Sequence, residues 1–304
     1  MTTVGTGTYT YTVIEDWAKL PPGENFAMVS AVATDSQDRV YAFQRKDPPV
    51  LVFDRDGNFL NSWGNGAFLF AHGISITDDT VYLTDRDSSV CIIYTLDGKP
   101  IQMLGRHGVH SDTGCEQPAA LVPQAAGPFN YPSELVVAPS GDLYVSDGYR
   151  NARVHKFSAD GKLILSWGEP GIDPGQFIRP HNIAIDADDR VYVVDREAHR
   201  IQIFDEHYEF VDEWPQFGRP NDVFIDSDDT MYVLDSESGD ERNPGMKRGL
   251  YIGSAVGGTL QAYIPPHETE GPHGTIGEGV TLDAAGNIFV GEVSVRGMTM
   301  FTRR

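Results

Sequence analysis

Cysteine is nearly absent. The 304-residue chain has two, Cys91 and Cys115, too few for a framework of bridges, and a reducing compartment explains them more simply. Both read as ordinary packing or surface residues. Positive charge is also scarce, with 23 Lys and Arg against 44 Asp and Glu and a net charge of −21. Phosphate backbones and anionic head groups are normally bound through basic patches that release counterions, so roles on nucleic acid or a membrane surface are not expected. No run approaches the roughly 18 consecutive apolar residues of a spanning helix. The start, Met1-Thr2-Thr3-Val4-Gly5-Thr6, has neither the basic nor the apolar segment of a secretory signal. The expectation is a cytoplasmic protein with a small-molecule substrate. Missing too is any stretch that keeps a 3.6-residue hydrophobic period over three turns. Hydrophobic residues make up 40% and aromatics 11%, enough for a large core, so disorder is excluded.

What is present is a repeat. Six times the chain runs through apolar alternation, a polar turn, an aromatic, two residues and usually an acid. The aromatics are Tyr41, Tyr82, Tyr144, Tyr192, Tyr232 and Phe289, at intervals of 41, 62, 48, 40 and 57 residues. A basic period near 40 with loop insertions is that of a four-stranded propeller blade. Strands are short and turn-bounded, as in Val191-Tyr192-Val193-Val194-Asp195 followed by Arg200-Ile201-Gln202-Ile203-Phe204. The chain, residues 1–304, reads as one all-β, six-bladed propeller domain. An open ring would leave a strand edge exposed. The last copy ends one strand short near Phe301, and the unplaced alternating segment Tyr9-Thr10-Tyr11-Thr12-Val13-Ile14 is expected to complete it.

The innermost strand of each blade lines the channel, so the residues opening the six copies face one mouth: Ser30, His72, Ser133, His181, Asn221 and Glu278. Two histidines and a carboxylate on alternate blades can place three N/O ligands on one ion with an open position left over. The third ligand has two readings. Either Glu278 holds register, or His273 in Gly271-Pro272-His273-Gly274 does through a five-residue insertion. A second set, Arg45, Tyr149 and Arg196, occupies the corners just beyond the innermost strands. An arginine there can clamp a carboxylate, and a tyrosine near a divalent ion can act as base.

At these residues the chain resembles a known family. Asp147-Gly148-Tyr149-Arg150-Asn151-Ala152-Arg153-Val154, Pro180-His181-Asn182-Ile183-Ala184 and Asp195-Arg196-Glu197-Ala198-His199-Arg200-Ile201-Gln202, with Trp63-Gly64 leading into His72-Gly73-Ile74, are similar to the NHL-repeat propeller of the peptidyl-α-hydroxyglycine α-amidating lyases. The resemblance implies an NHL-type six-bladed propeller, zinc at His72 and His181, a catalytic tyrosine at Tyr149 and arginines at Arg45 and Arg196. It further implies cleavage of the C–N bond of a carbinolamide in a small polar, carboxylated substrate, releasing an amide and an oxo-acid. The family's third histidine, followed by Asp, falls on Glu278-Gly279. That changes a ligand, admits iron or manganese beside zinc, and removes a calcium-contacting carboxylate, which counts against calcium. Two other functions compete with the lyase: a lactonase-like hydrolase in which the metal activates water, and a non-catalytic propeller that binds a protein. Inserts at 106–129, with His107 and His110, and at 236–249 are expected to narrow the mouth and choose the substrate.

Overall fold

In the computed structural model, which describes residues 2–117, 121–267 and 277–304, the repeat copies become six antiparallel sheets. Blades one to five span residues 29–63, 71–105, 132–167, 180–214 and 222–264, and blade six starts at 279. The inner strands are Val29–Thr34, Ala71–Thr77, Pro132–Val137, Pro180–Ile185, Asp222–Ile225 and Gly279–Leu282. Each lies beside the next, and the last lies beside the first, so the ring is closed. A three-residue 3-10 turn at Arg196–Ala198 is the only helical piece among the described residues. Among the described residues no helix is long and apolar enough to cross a membrane.

Closure runs through the N-terminus, as the repeat count requires. Tyr9–Ile14 pairs with Gly297–Arg303, with Val13 opposite Phe301. A further strand, Thr3–Thr6, folds back onto Tyr9–Ile14 and gives blade six five strands. Sequence reasoning left that edge unassigned, because four residues carry too little periodicity to register.

The core lies between blades. Strand alternation presents apolar residues to both neighbours, so Tyr41, Phe43 and Trp63 of blade one pack with Ile74, Leu83 and Ile92 of blade two. The repeat's polar positions have structural roles. The Asp of the turn after the inner strand accepts backbone N–H groups two and four residues on, as Asp186 does from Asp188 and Arg190, and its other oxygen accepts from the repeat tyrosine, as from Tyr192. The acid three residues past the aromatic satisfies the loop entering its blade. Asp85 accepts from the Leu69 and Phe70 amides, Asp195 from Ile178 and Arg179, and Asp235 from Arg219. Gln44 does the same for Ala27 in blade one. Both cysteines are buried and unpaired, and burial pushes the Cys91 thiol far up, which makes it inert.

Candidate functional site

The side chains at the channel mouth are aimed by a backbone irregularity that recurs with the repeat. In blades one to four the ladder register shifts at the second residue of the inner strand: Ala71 pairs with Asp85 and Gly73 with Thr84, leaving His72 unopposed. Ser30, Ser133 and His181 occupy the same bulge. A bulged residue leaves the in-out alternation and turns its side chain, here toward neighbouring blades and the axis. Asn221 and Glu278 hold the corresponding places just before their strands.

These residues form a relay from blade to blade. Ser30 Oγ donates to the Ala71 carbonyl (3.0 Å), His72 Nδ1 to Ser133 (2.8 Å), Ser133 Oγ to Pro180 (3.2 Å), His181 Nδ1 to Asn221 (2.7 Å), and Asn221 Nδ2 to Glu278 (3.3 Å). Glu278 can only accept, and Arg45 completes the circle, with Nη2 on Glu278 (3.4 Å) and Nε on the Ala71 carbonyl (3.3 Å).

This relay fixes the tautomers. A carbonyl oxygen only accepts, so each Nδ1 carries the proton and each Nε2 keeps its lone pair. Burial, reinforced by Arg45 and Arg86 at His72 and by Arg196 at His181, holds both imidazoles well below the usual range, so they are neutral. The ligand atoms of His72, His181 and Glu278 lie within 4.8 Å of one another. Two neutral imidazole nitrogens and one carboxylate oxygen, with the outer nitrogens already satisfied, are the donor set of a borderline divalent ion such as zinc, iron or manganese. The structure therefore brings together three of the four proposed ligands, and His273 lies outside the described residues.

Tyr149 is buried with its Oη 3.0 Å from His72 Nε2 and 2.9 Å from His181 Nε2. Its single proton cannot serve both nitrogens. Arg196 Nη1 stands 2.9 Å from the same His181 nitrogen. Gly148 allows this approach, because a Cβ there would collide with the Pro180 carbonyl of blade four. Arg45, Tyr149 and Arg196 thus all border the ligand set.

Three neighbours escaped sequence reasoning. Arg86 follows Asp85 at the same corner as Arg45 and Arg196, stacked 3.7 Å from the Phe70 ring centre and 4.8 Å from that of Tyr149, so the repeat alignment carried the signal. Glu134 and Asp222 sit one residue further along their strands and, with Asn182, line a cavity of about 320 Å3 below the ring. Burial and the nearby Asp222 hold Glu134 well above the carboxylate range, and burial, with Glu278 nearby, pushes Asp222 up to about 7. On the opposite side of the channel a Cβ at Gly279 would lie 2.5 Å from the Ala31 Cα, so no carboxylate fits there without a shift. Of the loop histidines, His107 and His110 bond Ser88 and Ser89 at the corner of blade two (3.1 and 2.8 Å) and take no place in the ring. The loop between the second and third strands of blade five brings Glu237 and Arg242 to the mouth, beside Arg196 and Arg219.

The NHL repeat family model matches residues 129–157 and 177–204, in blades three and four, and the chain carries NHL repeats on a six-bladed propeller. Human NHL repeat-containing protein 3 is 35% identical over 213 residues, which cover 65% of this chain and 58% of that protein. Rat peptidylglycine alpha-amidating monooxygenase is 32% identical over 237 residues, 65% of this chain and 22% of the relative. A probable peptidyl-alpha-hydroxyglycine alpha-amidating lyase of Caenorhabditis elegans is 26% identical and is covered over 57% of its length. The chain thus spans less than two thirds of each of these relatives. Among solved structures, a gluconolactonase from Xanthomonas campestris superposes with a TM-score of 0.68 at 14% identity, over 99% of this chain and 95% of that one. A streptogramin B lyase gives 0.65 at 11% identity, over 97% and 98%. These two likenesses concern the fold.

Proposed function

We propose that the protein is a metal-dependent lyase that cleaves the C–N bond of a carbinolamide-like, carboxylated small molecule at the channel mouth. The observation that carries this reading is the convergence of His72 Nε2, His181 Nε2 and a Glu278 oxygen within 4.8 Å, with the Tyr149 hydroxyl bonded to both imidazoles. Likeness to the amidating lyases over 65% and 60% of the chain supports it. His72, His181 and Glu278 would hold the ion, which when bound supplies Lewis acidity toward a substrate hydroxyl. Tyr149, once its own proton has left, takes the proton from that hydroxyl, the C–O bond becomes a carbonyl as the C–N bond breaks, and the same proton passes to the leaving nitrogen. The products are an amide and an oxo-acid. Arg196, buried beside His181, holds the carboxylate and the charge that develops beside it. The two buried, unpaired thiols suit a reducing, cytoplasmic setting.

One observation favours a second reading, a hydrolase in which the ion activates water. Arg45 is engaged with Glu278 and so steadies a ligand rather than standing free for substrate. Tyr149→Phe separates the two. The lyase loses about 10²- to 10⁴-fold in kcat with metal content unchanged, whereas a hydrolase keeps most of its rate. Elemental analysis of protein purified without added metal comes first. It should find about one equivalent of a transition metal in the wild type and none in His72→Ala/His181→Ala. No metal in either, with the fold intact by circular dichroism, rejects the catalytic reading in favour of a binding propeller.

A further inference from the structure

Four arginines gather on one side of the mouth. Arg179 and Arg219 occupy equivalent positions in matching runs, Arg179-Pro180-His181 and Arg219-Pro220-Asn221, each two residues before a member of the relay. Arg196 stands at the corner of blade four and Arg242 arrives on the loop between the second and third strands of blade five. Together with His199, Glu197 and Glu237 they enclose a cavity of about 410 Å3, in the size range of small-molecule sites.

Along the described lining the charges do not balance. Glu197 is shared by Arg179 (2.8 Å), Arg219 (2.5 Å) and Arg196 (3.5 Å). Glu237 is shared by Arg219 and Arg242, the latter at 2.8 Å. Among the described residues that line the cavity, four guanidiniums therefore face two carboxylates, and His199 is held below its usual range by burial and Arg219. Arg196 and Arg219 are nearly inaccessible, at 6% and 4% exposure, where uncompensated charge is expensive. Burial and the neighbouring Arg196 push both Arg179 and Arg219 down, and the Arg196 Nε finds no partner among the described residues. Packing alone gives a chain of net charge −21 no reason to concentrate cations here. An anionic guest does.

We propose that this cavity is a subsite for a second oxyanion group of the substrate, carboxylate or phosphate, so that the molecule handled beside His72 and His181 is a small dianion. The substrate assignment rests on the proposed function, while the anion site itself does not. Arg196 joins the two places, with Nη1 on His181 (2.9 Å) and Nη2 facing Glu197 (3.5 Å). A molecule whose anionic groups lie a few bonds apart reaches both. The planar forks of Arg179 and Arg219 suit either oxyanion.

Calorimetric titration of the full chain with succinate, inorganic phosphate and acetate tests this. Dianions should bind about tenfold more tightly than acetate. Arg219→Gln and Arg242→Gln should each weaken dianion binding about tenfold and leave acetate unchanged. Glu237→Gln, which raises the excess charge, should tighten it several-fold. Arg242 is half-exposed, so its replacement tests the site without threatening the fold. Phosphate or succinate as the tighter ligand identifies the oxyanion, and either supports the subsite. Equal binding of dianions and acetate, or dianion binding that none of the three substitutions moves, overturns it. Phosphate binding retained in His72→Ala, which takes up no metal, supports the subsite independently of the lyase reading. A wild type that holds no metal yet binds phosphate rejects only that reading.

Discussion

At Tyr149 one hydroxyl meets two imidazole lone pairs, and the Arg196 guanidinium alongside can donate to the His181 nitrogen, so each lone pair has a donor in reach. Carboxylates one layer down are less well supplied. Asp222 accepts the Val223 and Val280 amides (2.9 and 2.6 Å), but among the described residues no cation faces it, and burial, with Glu278 nearby, raises it to about 7. The folded protein therefore holds a proton that the unfolded chain has released by about pH 4. Between those values the unfolded state binds fewer protons, so stability falls as pH rises. In metal-free protein the melting temperature of Asp222→Asn relative to wild type should climb from pH 5 to pH 8. A difference that stays flat over that range refutes an unpaired Asp222. The ring residues His72, His181 and Glu278 were legible because one repeat position exposes them together. Glu134 and Asp222 were not, since carboxylates on inner strands read as ordinary polar residues until burial is known.

Elements matter here through their ends. The bulge at the start of the inner strands spends one backbone pairing per blade to turn a side chain out of alternation, and it repeats in four blades. Its position could not be read from periodicity, because a single extra residue looks like a strand boundary. The repeat alignment nevertheless placed the correct residues there, since every copy carries the same offset. The N-terminal strand was legible for a different reason, as the piece a closed ring must have. Its pairing of Val13 with Phe301 and burial of Tyr11 join the seam of blades five and six. Deleting residues 2–14 should lower the melting temperature by more than about 10 °C and promote association through the bared edge of Gly297–Arg303. A truncated chain that melts with the wild type would show that closure does not depend on this strand.

Over the whole molecule, acidity and the arginine-rich mouth belong together. A surface of net charge −21 repels anions everywhere except where arginines outnumber acids, so the field itself marks the entrance. Net charge was readable at once and excluded nucleic acid as an expectation. The cluster was not, because its members lie apart in sequence and only the ring assembles them. The blade-to-blade relay carries a last consequence. The same imidazoles that offer Nε2 to an ion lock blade two to three and four to five through Nδ1. An ion held by those nitrogens would therefore be thermodynamically linked to the seam on the other side of the ring, and the linkage would be reciprocal. Such an ion, polarising the imidazole, would tighten the joints, and whatever pried the joints apart would weaken its hold. The channel mouth would in this sense be a clasp, whose grip on a metal reads out the integrity of the whole circle.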